Sequence, residues 1–254
     1  MSKQNFHNLR LLLAYDGSNY LGWQRTSLGP SIEETLQRAL EQILQHKINL
    51  QAASRTDAGV HASGQVANFF TAKMPPDLNK FHLSINALLP SDIRVLEISY
   101  ATPNFHPTLD NIGKTYQYEL CLGPIQHPRQ RFYSWHVPQP LDISKMKLAA
   151  EPLIGMHDFS AFCNVKKNET YLCKIRNLHS ITITELETNR LAIVFTGNRF
   201  LYKMVRNLVG TLVYVGLGKL SSYDIPLILK NKDRTKAGMS APAHGLTLVS
   251  IHYP

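Results

Sequence analysis

The densest chemistry in the chain lies in Ser54-Arg55-Thr56-Asp57-Ala58-Gly59-Val60-His61. Eight residues there hold a cation, hydroxyls, a carboxylate, a glycine and an imidazole. A carboxylate at Asp57 needs no base to become a nucleophile. An ordinary turn is the alternative. Asp, Thr, Ser and Gly are turn formers, Asp57 can cap its own turn, and a surface ion pair with Arg55 contributes little. Taken alone, the eight residues favour the turn.

The elements that must position this loop are readable on both sides. Alternating apolar residues before it (Ile48, Leu50, Ala52) and after it (Val66, Ala67, Phe69, Phe70) predict strand, loop, strand. Gly59 permits a positive φ, and rigid strand ends fix a reactive group in place. Upstream, Leu9–Tyr15 reads as a buried strand ending in an Asp16-Gly17-Ser18 turn. Tyr20, Trp23, Gln24 and Arg25 follow in a loop, a grouping that suits base stacking and phosphate contact. A tryptophan anchoring the loop to the core fits those residues equally well. Ser31 and Glu34 form a capping-box pattern ahead of Ile32, Leu36, Ala39, Leu40, Ile43 and Leu44 on one helical face. Asp77 caps a second helix carrying Leu78, Phe81, Ile85 and Leu88, and Ile93–Tyr100 is a further strand. This order predicts an α+β half-domain with an antiparallel sheet covered on one face.

Pro103–Pro107 reads as a connection, dividing the chain into half-domains at 1–104 and 105–254. In the second, Gly113–Leu122 is a strand with Tyr116, Tyr118, Leu120 and Leu122 on one face, where one tyrosine can reach a ligand while the others fill the core. A short strand around Trp135, a helix capped by Asp142, an irregular aromatic link at Gly155–Phe162 and a polar surface loop at Asn164–Lys174 follow. Ile175–Thr184 and Arg190–Thr196 predict a hairpin through Thr188-Asn189. Asn198 is then expected to cap a helix with Arg199, Lys203 and Arg206 at i, i+4 and i+7 on one face. Like charges at that spacing repel, so the face either meets anions or is a solvated edge. Ser221 and Asp224 cap a last short helix, and Gly245–Tyr253 ends the chain as a strand, so the second half roughly repeats the first.

Composition narrows the class. The 254 residues are 44% hydrophobic and 18% charged, and 27 Lys and Arg against 18 Asp and Glu leave a net charge of +9. Such a balance suggests an anionic partner, with nucleic acid foremost. Three cysteines without a C-x-x-C pair argue against a disulfide framework or a cysteine zinc site and suggest a reducing, cytoplasmic setting. Leu11–Ala14 is too short for a signal-peptide core, and Lys203, Arg206 and Asn207 interrupt the apolar segment Phe200–Leu217, so no membrane span is expected.

Six blocks in order resemble the tRNA pseudouridine synthase A (TruA) family. They are Tyr15-Asp16-Gly17-Ser18 with Gly22-Trp23-Gln24, the Ser54–His61 stretch, Asn86-Ala87-Leu88-Leu89-Pro90, Lys114-Thr115-Tyr116-Gln117-Tyr118, His157-Asp158-Phe159-Ser160-Ala161-Phe162, and Phe200–Asn207. A lone Arg-Thr-Asp would mean nothing; six ordered blocks are specific. The resemblance implies the pseudouridine synthase fold, two similar half-domains flanking a basic active-site cleft, and a homodimer without cofactor or metal. It also implies isomerisation of uridine to pseudouridine at nucleotides thirty-eight to forty of the tRNA anticodon stem-loop. By position, Asp57 resembles the nucleophile and Arg55 the residue that helps flip the nucleotide. Tyr116 resembles the tyrosine against the target base, and Arg206 the partner of the aspartate. Pro107-Thr108 departs from the small residue and arginine often found there, and Ser54 replaces a frequent glycine.

The residues fit that chemistry. A carboxylate removed from water needs a nearby cation, which Arg206 supplies. Extruding a stacked nucleotide costs roughly a few kcal/mol. Phosphate contacts from Arg199, Lys203 and Arg25, with Arg129 and Arg131, can offset that cost. His61 reads as structural or RNA-contacting rather than as an acid. Two other classes stay open: a non-catalytic RNA-binding module, which has no use for Asp57, and a nucleoside hydrolase, which usually needs a second carboxylate.

Overall fold

In the computed structural model, which describes residues 6–165, 172–187 and 189–254, the chain divides into two units. One is 1–112 with 248–254, and the other is 113–247. The division falls at Ile112–Gly113 rather than at 104–105, and the final residues return to the first unit.

In the first unit, strand β1 (His7–Tyr15) buries Leu9, Leu11, Leu13 and Tyr15 by simple alternation. It pairs antiparallel with β3 (His61–Thr71) on one side and β4 (Ile93–Ala101) on the other. The sheet order is β4-β1-β3-β10, with β10 spanning Leu246–His252 and the short β2 (Gln51–Ala52) also on β3. Helix α1 (Ile32–Leu44) starts where Ser31 Oγ accepts the Glu34 N–H at 3.3 Å, and it buries Ile32, Leu36, Ala39, Leu40 and Leu44. Each of the Ile and Leu side chains contributes about 1.5–3 kcal/mol on burial. Helix α2 (Leu78–Leu88) is capped by Asp77 and docks on β4 through Asn86. The Asn86 amide donates to Val95 O at 2.9 Å and accepts from Val95 N at 3.0 Å.

The second unit orders its strands β5 (Gly113–Leu122), β9 (Arg190–Gly197), β8 (Ile175–Glu187) and β7 (Gly155–Asp158), all antiparallel. Strand β6 (Trp135–Val137) lies parallel to β5. Helix α3 (Ile143–Ala150) is capped by Asp142 and packs on helix α4 (Met204–Gly216) and on β8. Helix α4 is buried almost all round, so its apolar residues do not form a single stripe. Helix α5 (Ile225–Asn231) follows a capping box between Ser221 and Asp224. The order β5-α3-β8-β9-α4 repeats β1-α1-β2-β3-α2, with β6 and β7 added. An α+β fold of two similar segments, each with a mainly antiparallel sheet, is what the sequence predicts.

Four expectations need correction. Asn198 does not start a helix: its Oδ1 accepts from Asn177 N at 3.0 Å and Arg199 N at 2.7 Å, pinning the end of β9. Helix α4 begins only at Met204, because Lys203 sits at φ +58, outside helical geometry. Arg199, Lys203 and Arg206 therefore do not share a helical face. Gly155–Phe162 is not irregular throughout, since Gly155–Asp158 forms edge strand β7 before a 3-10 turn at Ser160–Phe162. The strand expected from Ile48 shrinks to Gln51–Ala52. Of the predicted loop and hairpin, 166–171 and Thr188 lie outside the described residues. Among the described residues, no helix is long and apolar enough to cross a membrane.

Candidate active site

The loop between β2 and β3 is a turn, and a tightly held one. The Val60 N–H donates to Asp57 O at 3.1 Å, and Gly59 takes φ +76 at the third position, as a type II turn requires. Asp57 is half-buried at the first position of that turn. Backbone on either side is pinned by other elements. Trp23 N donates to Thr56 O at 3.0 Å, and Gly59 N to Tyr20 O at 3.3 Å. The Thr56 and Tyr15 hydroxyls share a 2.8 Å hydrogen bond. Gln65 holds the Ser54 backbone twice, accepting from its N at 3.2 Å and donating to its O at 2.6 Å, and also donates to the Tyr15 hydroxyl at 3.3 Å. A bulge between Leu13 and Tyr15 in the β1–β3 register re-aims Tyr15 toward this network.

Two glycines let a second loop lie directly on the turn. At Gly22, φ is +96, and a Cβ would stand 2.6 Å from Thr56 O and 3.0 Å from Ala58 N. At Gly17 a Cβ would stand 2.1 Å from Val60 O. A side chain at Gly22 would have to move the Thr56–Ala58 backbone, and one at Gly17 the Val60 backbone. Gly17 N also meets His61 Nδ1 at 3.1 Å, while Asp16 Oδ1 lies 3.1 Å from the same nitrogen. His61 is 4% exposed, so its place is structural. Trp23 and Tyr20 are buried as well, at 3% and 7%, which settles the open choice for Trp23 in favour of the core anchor. Burial, then the hydrogen bond to Asp92, pushes the Tyr20 hydroxyl pKa well above its ordinary value.

Of the expected site residues, the first unit holds Asp57, Arg55 and Arg25. Arg55 is exposed two residues before Asp57, and no carboxylate among the described residues pairs with it. Arg25 is exposed and lies 3.6 Å from Glu34, which also binds Arg38 at 2.8 Å. Together they border an open depression of about 570 Å³ with Thr26, Ser27, Gly29 and Pro30.

The second unit holds the others. Tyr116 on β5 is 7% exposed and meets the edge of Phe200, ring centroids 5.0 Å apart. Tyr118, one pleat on, fills the core and donates to Pro242 O at 2.8 Å; its burial raises its pKa strongly. Arg206 lies in the first turn of α4. Its Nε donates to Ala241 O at 2.7 Å, and Ala241 N donates back to Arg206 O at 3.0 Å. Arg199 is exposed, and Lys203 lies over the Tyr202 ring at 5.2 Å. Burial and the nearby Arg199 hold Lys114 down to about 8.

Sequence reasoning assigned no role to the residues that hold the turn: Tyr15, Gly17 and Gly22 stood within the family-like blocks, and Gln65 was not singled out. Tyr15, Gln65, Gly17 and Gly22 carry no chemistry of their own and act at long range. For Gln65 the available signal was a polar residue inside an apolar strand, fully buried in the fold.

Comparison with known proteins then places the chain. The family described as tRNA pseudouridine synthase matches residues 12–107 and 149–254. A protein of Protochlamydia amoebophila named tRNA pseudouridine synthase A 2 is 55% identical over 250 residues, covering 98% of this chain and 95% of that protein. One from Thermoanaerobacter sp. named tRNA pseudouridine synthase A is 43% identical over 247 residues, 97% of this chain and 99% of its own. Another of that name, from Pelobacter propionicus, is 40% identical over 249 residues, 96% and 99% of the two chains. The α+β architecture with an acidic turn is thus that of an RNA-modifying isomerase, and the chain belongs to the tRNA pseudouridine synthase family. Its class of reaction is the isomerisation of uridine to pseudouridine in tRNA.

Proposed function

We propose that this enzyme acts at nucleotides thirty-eight to forty of the anticodon stem-loop, with Asp57 as nucleophile on a nucleotide flipped out of the stem. The observation that carries this reading is the Asp57 turn, whose carboxylate rides on backbone pinned from β1, β3 and the Tyr20–Trp23 loop. Mere surface turns do not call for such support. A preorganised nucleophile does, because misplacement of about 1 Å can cost 10²-fold in rate.

The reaction balances without a co-reactant. The bond from uracil N1 to the sugar C1′ breaks, the base rotates, and C5 bonds to C1′. The C5 proton leaves to solvent, and N1 ends protonated. Asp57, as the nucleophile, bonds to C1′ as N1 departs and is released again as the free carboxylate when C5 bonds to C1′, while Arg206 supplies the cation that a desolvated carboxylate needs. Tyr116 packs against the base. Arg55, exposed and without a carboxylate partner among the described residues, takes the space the nucleotide vacates. Arg25, Arg199 and Lys203 contact backbone phosphates. The family resemblance supports a homodimer working in the cytoplasm, and sedimentation of the purified chain checks its dimeric state.

Tritium release from tRNA labelled at uridine C5 tests the reaction. The wild type is expected to release tritium and leave C-linked product, and Asp57→Ala to release none. Release that survives Asp57→Ala overturns the assignment, and free uracil as product favours a hydrolase.

A further inference from the structure

The Arg206 guanidinium is held through its Nε by a segment far along the chain. Residues Gly238–Ala241 run as a strap along α4, and Ala241 makes the reciprocal pair of hydrogen bonds with Arg206. Close approach is possible because two glycines face each other: a Cβ at Gly210 would stand 1.7 Å from Met239 O, and one at Gly238 would stand 2.5 Å from Gly210 O. Gly238 N donates to Thr211 Oγ1 at 2.9 Å, and Thr211 Oγ1 donates to Asn207 O at 2.7 Å.

One side chain ties the strap to the helix. Arg234 donates from Nη1 to Gly238 O at 2.8 Å, and from Nη2 to Asn207 Oδ1 at 2.9 Å and Ser240 Oγ at 3.3 Å. Ser240 Oγ donates to the same Asn207 oxygen. Asn207 Nδ2 donates onward to Phe162 O and Asn164 Oδ1, each at 2.8 Å, so the amide is saturated. Arg234 is half-buried, its Nε is buried without a hydrogen-bond partner, and no carboxylate among the described residues pairs with it. A guanidinium in that state is costly, and a neutral side chain would sit there more cheaply.

We propose that Arg234 is a positioning residue for catalysis: through Gly238, Ser240 and Asn207 it clamps the strap whose Ala241 carbonyl aims the Arg206 guanidinium. This rests on the reading of Arg206 as the partner of Asp57. Loss of the clamp leaves Arg206 in place but unaimed, so turnover falls while tRNA binding does not.

The test is a double-mutant cycle in tritium-release kinetics, with Arg234→Gln, Arg206→Ala and the pair, alongside KM for tRNA. Arg234→Gln is expected to lower kcat about 10- to 100-fold with KM unchanged, and to add no further loss in the Arg206→Ala background. Equal loss in both backgrounds overturns the proposal and marks Arg234 as structural only. Arg206→Ala at the wild-type rate overturns the reading of Arg206 itself. Should Arg234→Gln fail to fold, Ser240→Ala removes one pin of the strap and must show a smaller loss with the same dependence on Arg206. A Ser240→Ala loss independent of Arg206 overturns the proposal equally.

Discussion

At the scale of residues, the proposed reaction turns on Asp57 and on the cations that serve it. Asp57→Asn keeps the shape of the turn but removes the charge, and is expected to lower kcat at least about 10⁴-fold, as loss of a nucleophile does, with an unchanged thermal midpoint. Arg206→Ala should lower kcat about 10²- to 10³-fold, whereas Lys203→Ala should leave kcat intact and reduce the slope of log K against log salt by about 1. Equal effects of both variants on both quantities contradict that division. Lys114 offers a separate check. Its pKa is held down to about 8 in the fold, against 10.5 for an ordinary lysine. Between those values the unfolded chain binds the extra proton, so this residue makes stability rise with pH. Urea midpoints at about pH 7.5 and 9.5 should therefore climb less in Lys114→Met than in the wild type; an equal climb refutes the burial of that charge. Residue type and resemblance nominated Asp57, Arg55 and Arg206, whose roles the assays above test. Gly22 and Gln65 were not, since their roles exist only once distant backbone lies against them.

Elements were legible where the signal is local. Ser31, Asp77 and Asp142 each cap the helix that their position announces, and Ser221 caps the 3-10 turn that leads into α5, because a capping side chain acts within three residues. The start of α4 was not legible, because apolar spacing runs unbroken from Phe200 through Leu212 while one left-handed residue, Lys203, interrupts the backbone. Strand β7 was hidden for a different reason: a four-residue edge strand with Met156 exposed shows too little alternation to detect. The contact of the Gly22 loop with the Asp57 turn is the element-scale prediction. Gly22→Ala must both relieve φ +96 and push back the Thr56 carbonyl. A loss of about 2 kcal/mol or more is expected in urea unfolding, with a fall in kcat for the folded fraction; a neutral result would show that the turn does not depend on that close approach.

For the whole molecule, a net charge of +9 on 254 residues and a fold belonging to tRNA pseudouridine synthases point the same way. Binding is expected to weaken steeply with salt, since counterion release from the RNA backbone supplies much of the affinity. Two repeated segments were visible in the sequence as two strand–helix–strand runs. The return of the last strand to the first unit was not, because pairing between residues so far apart leaves no local trace. The proposed reaction is an Asp57-driven isomerisation at one region of tRNA. Mapping pseudouridine at single-nucleotide level in unmodified tRNA, after incubation with wild type or Asp57→Asn, tests it most directly. New pseudouridine is expected at nucleotides thirty-eight to forty with the wild type and none with the variant. Modification elsewhere in the tRNA, or the same modification by Asp57→Asn, would contradict it.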